Sequence, residues 1–177
     1  INTGRVTLSY RYDHTWALSG GYSRTYQSTL PAGTVAGVWD RATLDAYGDY
    51  TLLTLQASIA DVEVAPGSYY VTGGVIYVHT PDGRAADSDI IATLTTVTVQ
   101  SRLAATLYME GIHVEGTVQV SDNNASYAHN PSVYFKSCSA KYSAGNAGAY
   151  TFTTGGLFIM QDCVASRCVT GDGFNYH

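Results

Sequence analysis

Leu107-Tyr-Met-Glu-Gly-Ile-His-Val-Glu115 recurs twice along this chain. It returns as Val133-Tyr-Phe-Lys-Ser-Cys-Ser-Ala-Lys141, and again as Phe158-Ile-Met-Gln-Asp-Cys-Val-Ala-Ser166. The spacings are 26 residues (107 to 133) and 25 residues (133 to 158). Side chains alternate across a strand, so each segment divides into two faces. The inward ladders are Leu107, Val133 and Phe158; Met109, Phe135 and Met160; Ile112, Cys138 and Cys163; Val114, Ala140 and Ala165. The outward ladders are Tyr108, Tyr134 and Ile159; Glu110, Lys136 and Gln161; His113, Ser139 and Val164; Glu115, Lys141 and Ser166. The phase slips by one at Gly111, Ser137 and Asp162, where small or turn-prone residues recur. A corner between two short strands explains the slip. A repeat of about 25 residues with two or three short strands predicts a parallel β-solenoid. Rungs would stack roughly 4.8 Å apart. Glu110 then lies beside Lys136, and Glu115 beside Lys141, as attractive ladder pairs. The register is expected to continue downstream, with Gly148-Ala-Tyr150 falling on Gly173-Phe-Asn175.

Upstream, Ser68-Tyr-Tyr-Val71, Thr72-Gly-Gly74 and Val75-Ile-Tyr-Val-His79 read as strand, glycine turn and strand. Glycine supplies the positive φ that tight hairpins require, so a hairpin is expected over 68–79. Val6–Tyr12 alternates like a strand, and Tyr50–Ser58 suits a strand or a short helix. Thr43-Leu-Asp-Ala-Tyr47 suggests one helical turn stopped by Gly48. Thr93–Gln100 is a further β run. Two regions follow: an irregular N-terminal β region over 1–103, and the first rungs of the solenoid over 104–177. The chain opens on Ile1 and closes on the patterned Gly173-Phe-Asn-Tyr-His177, so truncation at its ends is expected.

Composition agrees with an all-β chain. Charged residues are only 13% of the 177, against 15 Tyr and 18 Gly. Lys+Arg number 9 against Asp+Glu 14, a net charge of −5, which argues against a nucleic-acid partner, because that needs clustered cations. Hydrophobic residues at 45% exclude intrinsic disorder. The longest apolar runs, near Val75–Val78 and Leu157–Met160, fall far short of the roughly 20 residues of a membrane helix, so no membrane insertion is expected. Three cysteines make no disulfide framework, and Cys163 and Cys168 lack zinc-knuckle spacing. No metal and no cofactor is predicted, and buried thiols are favoured.

Chemistry is sparse. Nucleophile-elbow, zinc-protease and phosphate-loop motifs are absent from the sequence. Glycoside hydrolysis needs two carboxyls, and the last repeat offers only Asp162 and Asp172. Asp162 equally suits a corner, and Asp172, in Thr170-Gly-Asp-Gly173, equally suits a turn. His177 is a candidate catalytic histidine, whereas His113 reads as a surface residue. Tyr108 and Tyr134 form an outward aromatic ladder. Such rings stack on sugars, and they also bury against residues 1–103 or another subunit.

The repeat over 104–177 resembles the right-handed parallel β-helix of the pectate-lyase-like superfamily. The segment from Ala65 to Arg84, followed by Asp87, resembles a strand–turn–strand element that precedes such helices in phage tail spikes and polysaccharide-degrading enzymes. The resemblance implies right-handedness, a polysaccharide partner, a phage-tail virion or extracellular location, and a homo-oligomer, usually a trimer, or neighbouring virion proteins. Lyases of this fold use calcium-binding carboxylates with an Arg or Lys base, which makes Arg167 a candidate, although no acid cluster accompanies it. The superfamily also includes non-catalytic virion proteins, so fold leaves function open between binding, cleavage and a rigid structural rod.

Overall fold

The computed structural model describes residues 6–9, 14–30, 33–94, 99–101, 106–120, 132–143, 149–152, 156–169 and 173–176. Side chains are described for all of these except 6–9, 99–101, 175 and 176. The fold is all-β, with one six-residue helix among the described residues. Two compact units divide the chain: residues 11–93 form one, and residues 1–10 together with 94–177 form the other.

The first strand, β1 (Val6–Ser9), belongs to the second unit. Residues 11–93 hold β2 (Ala17–Leu18), β3 (Tyr26–Thr29), β4 (Val35–Leu44), β5 (Tyr50–Leu52), β6 (Thr54–Leu55), the helix α1 (Ile59–Val64), β7 (Ser68–Thr72), β8 (Val75–His79) and most of β9 (Ile90–Leu94). One sheet runs β2-β3-β8-β7-β6 and a second runs β5-β4-β9. The hairpin expected over 68–79 is present as β7 and β8, antiparallel with Tyr70 opposite Tyr77. Gly73 and Gly74 take φ of 57° and 75° at its turn, a conformation in which any Cβ is strained. Leu30, Val38, Leu53, Tyr69, Ile76, Val78 and Ile90 form the core of this unit.

The helical turn expected at Thr43–Tyr47 is absent. Thr43 and Leu44 end β4, and Asp45 turns the chain by accepting the backbone N–H groups of Tyr47 (2.8 Å) and Asp49 (3.1 Å). An aspartate that satisfies the amides of a turn competes with helix at that site. The helix of this unit is α1 instead. Ser58 caps it, accepting from the Asp61 N–H at 3.2 Å and donating to the Asp61 carboxylate at 2.7 Å.

The second unit holds β10 (Val99–Ser101), β11 (Thr106–Glu110), β12 (Ile112–Glu115), β13 (Val118–Val120), β14 (Ser132–Lys136), β15 (Ser139–Lys141), β16 (Tyr150–Phe152), β17 (Phe158–Gln161), β18 (Val164–Ser166) and β19 (Phe174–Tyr176). They make three parallel sheets: β10-β13-β16-β19, β11-β14-β17 and β1-β12-β15-β18. The register follows the repeat. Leu107 pairs with Val133 and Val133 with Phe158, while Val114 pairs with Ala140 and Ala140 with Ala165. Every member of the four inward ladders lies in, or packs against, one core. Val118, Val120, Tyr150 and Phe152 complete that core from a third strand in each repeat.

Two details depart from the sequence reading. Tyr150 pairs with Phe174, not with Asn175. The one-residue shift lets Phe174 stack on Tyr150, with centroids 5.3 Å apart and planes 6° from parallel. The strand at Val6–Ser9 does not stay with the N-terminal region. It pairs in parallel with β12, so the units divide the chain differently from a boundary after residue 103.

Candidate functional site

The outward face of β11, β14 and β17 carries the richest exposed chemistry of the repeat. Strand alternation places Tyr108 beside Tyr134 and Ile159, and Glu110 beside Lys136 and Gln161. Tyr108 is 60% exposed, and Tyr134 is half-buried. The Tyr108 hydroxyl donates to the Glu110 carboxylate at 2.7 Å, and the Lys136 ammonium lies 2.9 Å from the other Glu110 oxygen.

These contacts set the ionisation of the face. The Tyr108 hydroxyl, and then Lys136, hold the Glu110 carboxyl below its ordinary range. The same hydrogen bond pushes the Tyr108 phenol up, and Glu110 pushes the Lys136 ammonium up, with a smaller contribution from Asp162. Glu110 is therefore an ionised acceptor at neutral pH and not a proton donor, because a general acid needs a raised pKa. The bond from its hydroxyl tethers the Tyr108 ring beside a charge pair open to solvent. That arrangement can stack on an apolar ring face while accepting and donating hydrogen bonds at its rim.

Of the other candidates among the described residues, Asp162 borders this face and Arg167 lies at a different corner. Asp162 is exposed at the corner between β17 and β18, with φ of 53°. Its equivalents Gly111 and Ser137 take φ of 68° and 51°, so the three form a ladder of left-handed corners. Arg167 occupies a second such ladder after β18, at φ of 58°, below Gly116 (138°) and Tyr142 (62°). The corner amides also bond between rungs, from Ser137 to the Gln161 carbonyl at 2.9 Å and from Tyr142 to the Ser166 carbonyl at 3.3 Å. Asp162 and Arg167 are thus placed by backbone geometry at different corners. Asp172 and His177 lie outside the described residues. His113 contacts Ser139 on the next rung, Nδ1 to Oγ at 2.6 Å.

Cys138, Cys163 and Cys168 are free thiols in or against the core. The Cys138 thiol donates to the Lys136 carbonyl at 3.3 Å, and burial pushes the Cys163 thiol up, away from a reactive thiolate. Among the described residues, no cluster of three or more His, Cys, Asp or Glu is placed to hold a metal ion. No helix among them is long and apolar enough to cross a membrane.

Two perturbed groups in the first unit were not singled out as sites from sequence. Asp40 on β4 is fully buried and binds the Arg84 guanidinium at 2.6 and 2.8 Å. Burial raises its pKa, but the Arg84 hydrogen bonds, the Ala42 N–H and Thr43 outweigh that and lower it. Arg84 also reaches Asp82 at 3.0 Å and approaches Asp87 at 3.7 Å. Glu63 on α1 accepts from the Ser23 hydroxyl and N–H, the Arg24 N–H and the Thr25 hydroxyl at 2.7–3.1 Å. Those bonds, the Ser23 hydroxyl first, bring its pKa down to about 2. Both arrangements are tethers: Asp40 fixes β4 to the 82–87 loop, and Glu63 fixes α1 to the turn before β3. The Ser58-x-x-Asp61 cap was a sequence signal for α1, but the pairing of Asp40 with Arg84 spans 44 residues and leaves no local pattern.

No protein-family model, no curated protein and no solved structure matches this chain.

Proposed function

We propose that the chain is a carbohydrate-directed protein of a phage tail or bacterial surface, in which the three parallel sheets form the faces of a right-handed β-helix. The observation that carries this is the exposed Tyr108 ring, tethered to Glu110 and flanked by Lys136 on the β11-β14-β17 face. In this reading Tyr108 and Tyr134 stack on sugar rings, and Glu110 and Lys136 hydrogen-bond their hydroxyls. Assembly as a homo-oligomer, a trimer by resemblance, belongs to the same proposal.

The corner positions of Asp162 and Arg167 favour binding over cleavage. They also support a second reading, a non-catalytic rod that serves as a structural virion or filament component. Incubation with host capsule or O-antigen polysaccharide separates the readings. Retention on the glycan, lost in Tyr108→Ala, supports the carbohydrate reading, while release of reducing ends or unsaturated uronates, abolished by Asp172→Asn, would add cleavage. A folded protein that retains none of these glycans would leave the rod.

A further inference from the structure

The geometry points to a second glycan-binding surface, on residues 11–93, that takes a neutral sugar chain across Tyr70, Tyr77 and Gln27. These side chains form one row over three neighbouring strands. Gln27 of β3 lies opposite Tyr77 of β8, and Tyr77 lies opposite Tyr70 of β7. Ala17 of β2 extends the row beyond Gln27. Directly opposed residues of an antiparallel pair share a face, with Cβ atoms about 5 Å apart. A second row on the same face holds Thr29, Val75 and Thr72. The opposite face, with Tyr69, Ile76 and Val78, is the buried core.

Helix α1 bounds this outward face at one end. His79 and Ser68, the next row along, are buried there, with His79 Nδ1 3.0 Å from the Val62 carbonyl and the Ser68 hydroxyl donating to the Ala65 carbonyl at 2.6 Å. Glu63 ties the helix to Ser23, Arg24 and Thr25, so the wall is fixed. Beyond it Tyr70, Tyr77 and Gln27 are half-buried, and Thr29 and Thr72 are exposed. The result is a floor on which Tyr70 and Tyr77 stand opposite each other beside a helical step.

The chemistry of this floor selects its occupant. Strands β2, β3, β7 and β8 contain no Asp, Glu, Lys or Arg, although solvent-facing sheets are ordinarily solvated by charges. The side chains of Gln27, Thr29, Tyr70, Thr72 and Tyr77 make no hydrogen bond to other described residues, so their amide and hydroxyl groups are available. Aromatic rings bordered by unpaired neutral donors and acceptors match a pyranose, whose C–H face stacks and whose hydroxyls pair. A polyanion would find no cation on these strands. The surface belongs to a different unit of the chain from Tyr108, and the two assignments can fail independently.

The test is binding of the whole chain to immobilised neutral hexaoses of glucose, galactose and mannose, with hexagalacturonate as the acidic counterpart. The expected result is retention of at least one neutral hexaose, weakened about five- to tenfold by Tyr77→Ala and by Tyr70→Ala. Tyr77→Phe should keep most of the affinity, which separates ring stacking from loss of fold. Retention of no neutral hexaose, or of hexagalacturonate alone, would overturn the assignment. So would neutral binding that Tyr108→Ala removes and Tyr77→Ala does not, an outcome that still upholds the proposed function. Concentration-dependent self-association abolished by Tyr77→Ala would give the face to a second copy instead.

Discussion

Single residues at the corners carry the strongest backbone demands in the repeat. Gly111, Ser137 and Asp162 share the left-handed conformation at equivalent positions. An L-residue there costs about 1–2 kcal/mol, and glycine gives back roughly half of that through its larger entropy loss on folding. Ser137→Gly should therefore stabilise the protein by about 0.5–1 kcal/mol, and Gly111→Ala should destabilise it by a similar amount, about 0.5–1 kcal/mol. No atom lies within 4 Å of a Cβ built on Gly111, so the second cost is one of backbone conformation and not of collision. Urea titration of both variants checks the pair of signs. The buried Asp40 is the other extreme. Asp40→Asn removes the buried countercharge of the Arg84 guanidinium and leaves it only the more exposed Asp82 and Asp87, and a loss of about 3 kcal/mol is expected in the same measurement. The folded pKa of Asp40 lies below its ordinary 3.8. Its contribution is therefore present above that value and is lost as pH falls through the lowered one.

Elements are held by tethers between them as much as by their own propensity. A helix of six residues is too short to stand alone. Its stability rests on the buried Val62, the Ser58 cap and the Glu63 carboxylate bound to the turn before β3. Glu63 titrates near 2 in the fold against an ordinary 4.5. The stability it adds is complete above pH 4.5 and declines as pH falls toward 2. Melting temperatures of the wild type and Glu63→Gln should differ most at neutral pH and converge across that window. In the parallel sheets, Phe135 on β14 is 1% exposed and meets Tyr150 and Phe152 at centroid distances of 6.0 and 6.3 Å. Phe135→Ala should cost about 3–5 kcal/mol by thermal or urea unfolding. The equivalent positions Met109 and Met160, only partly buried at the margins of the core, should cost less.

At the scale of the whole molecule, each unit has its own core. Residues 11–93 are continuous in sequence, so a chain of those residues alone should give dispersed amide resonances and a cooperative melt. A collapsed, non-cooperative spectrum would count against that expectation. How much of each unit was legible followed from the range of its interactions. The recurrence of Leu107–Glu115 determined the parallel pairing, the four core ladders and the corner at Asp162, because stacked repeats place identical chemistry at a fixed interval. The third strand was legible only in part: the repeat matches Gly148–Tyr150 to Gly173–Asn175 one residue out of register, and it leaves Val99 and Val118 unmatched. Val99, Val118, Tyr150 and Phe174 pair in turn across intervals of 19, 32 and 24 residues (99 to 118, 118 to 150, 150 to 174). Connecting segments of unequal length erase the period. The hairpin at 68–79 was legible from its two glycines, since φ above zero is a local property. Only the tertiary structure decided that Asp40 meets Arg84, that Val6–Ser9 joins β12, and that Tyr70, Tyr77 and Gln27 lie side by side. Contacts between segments distant along the chain are fixed by packing and hydrogen-bond register, and they leave no periodic trace in the residues that make them.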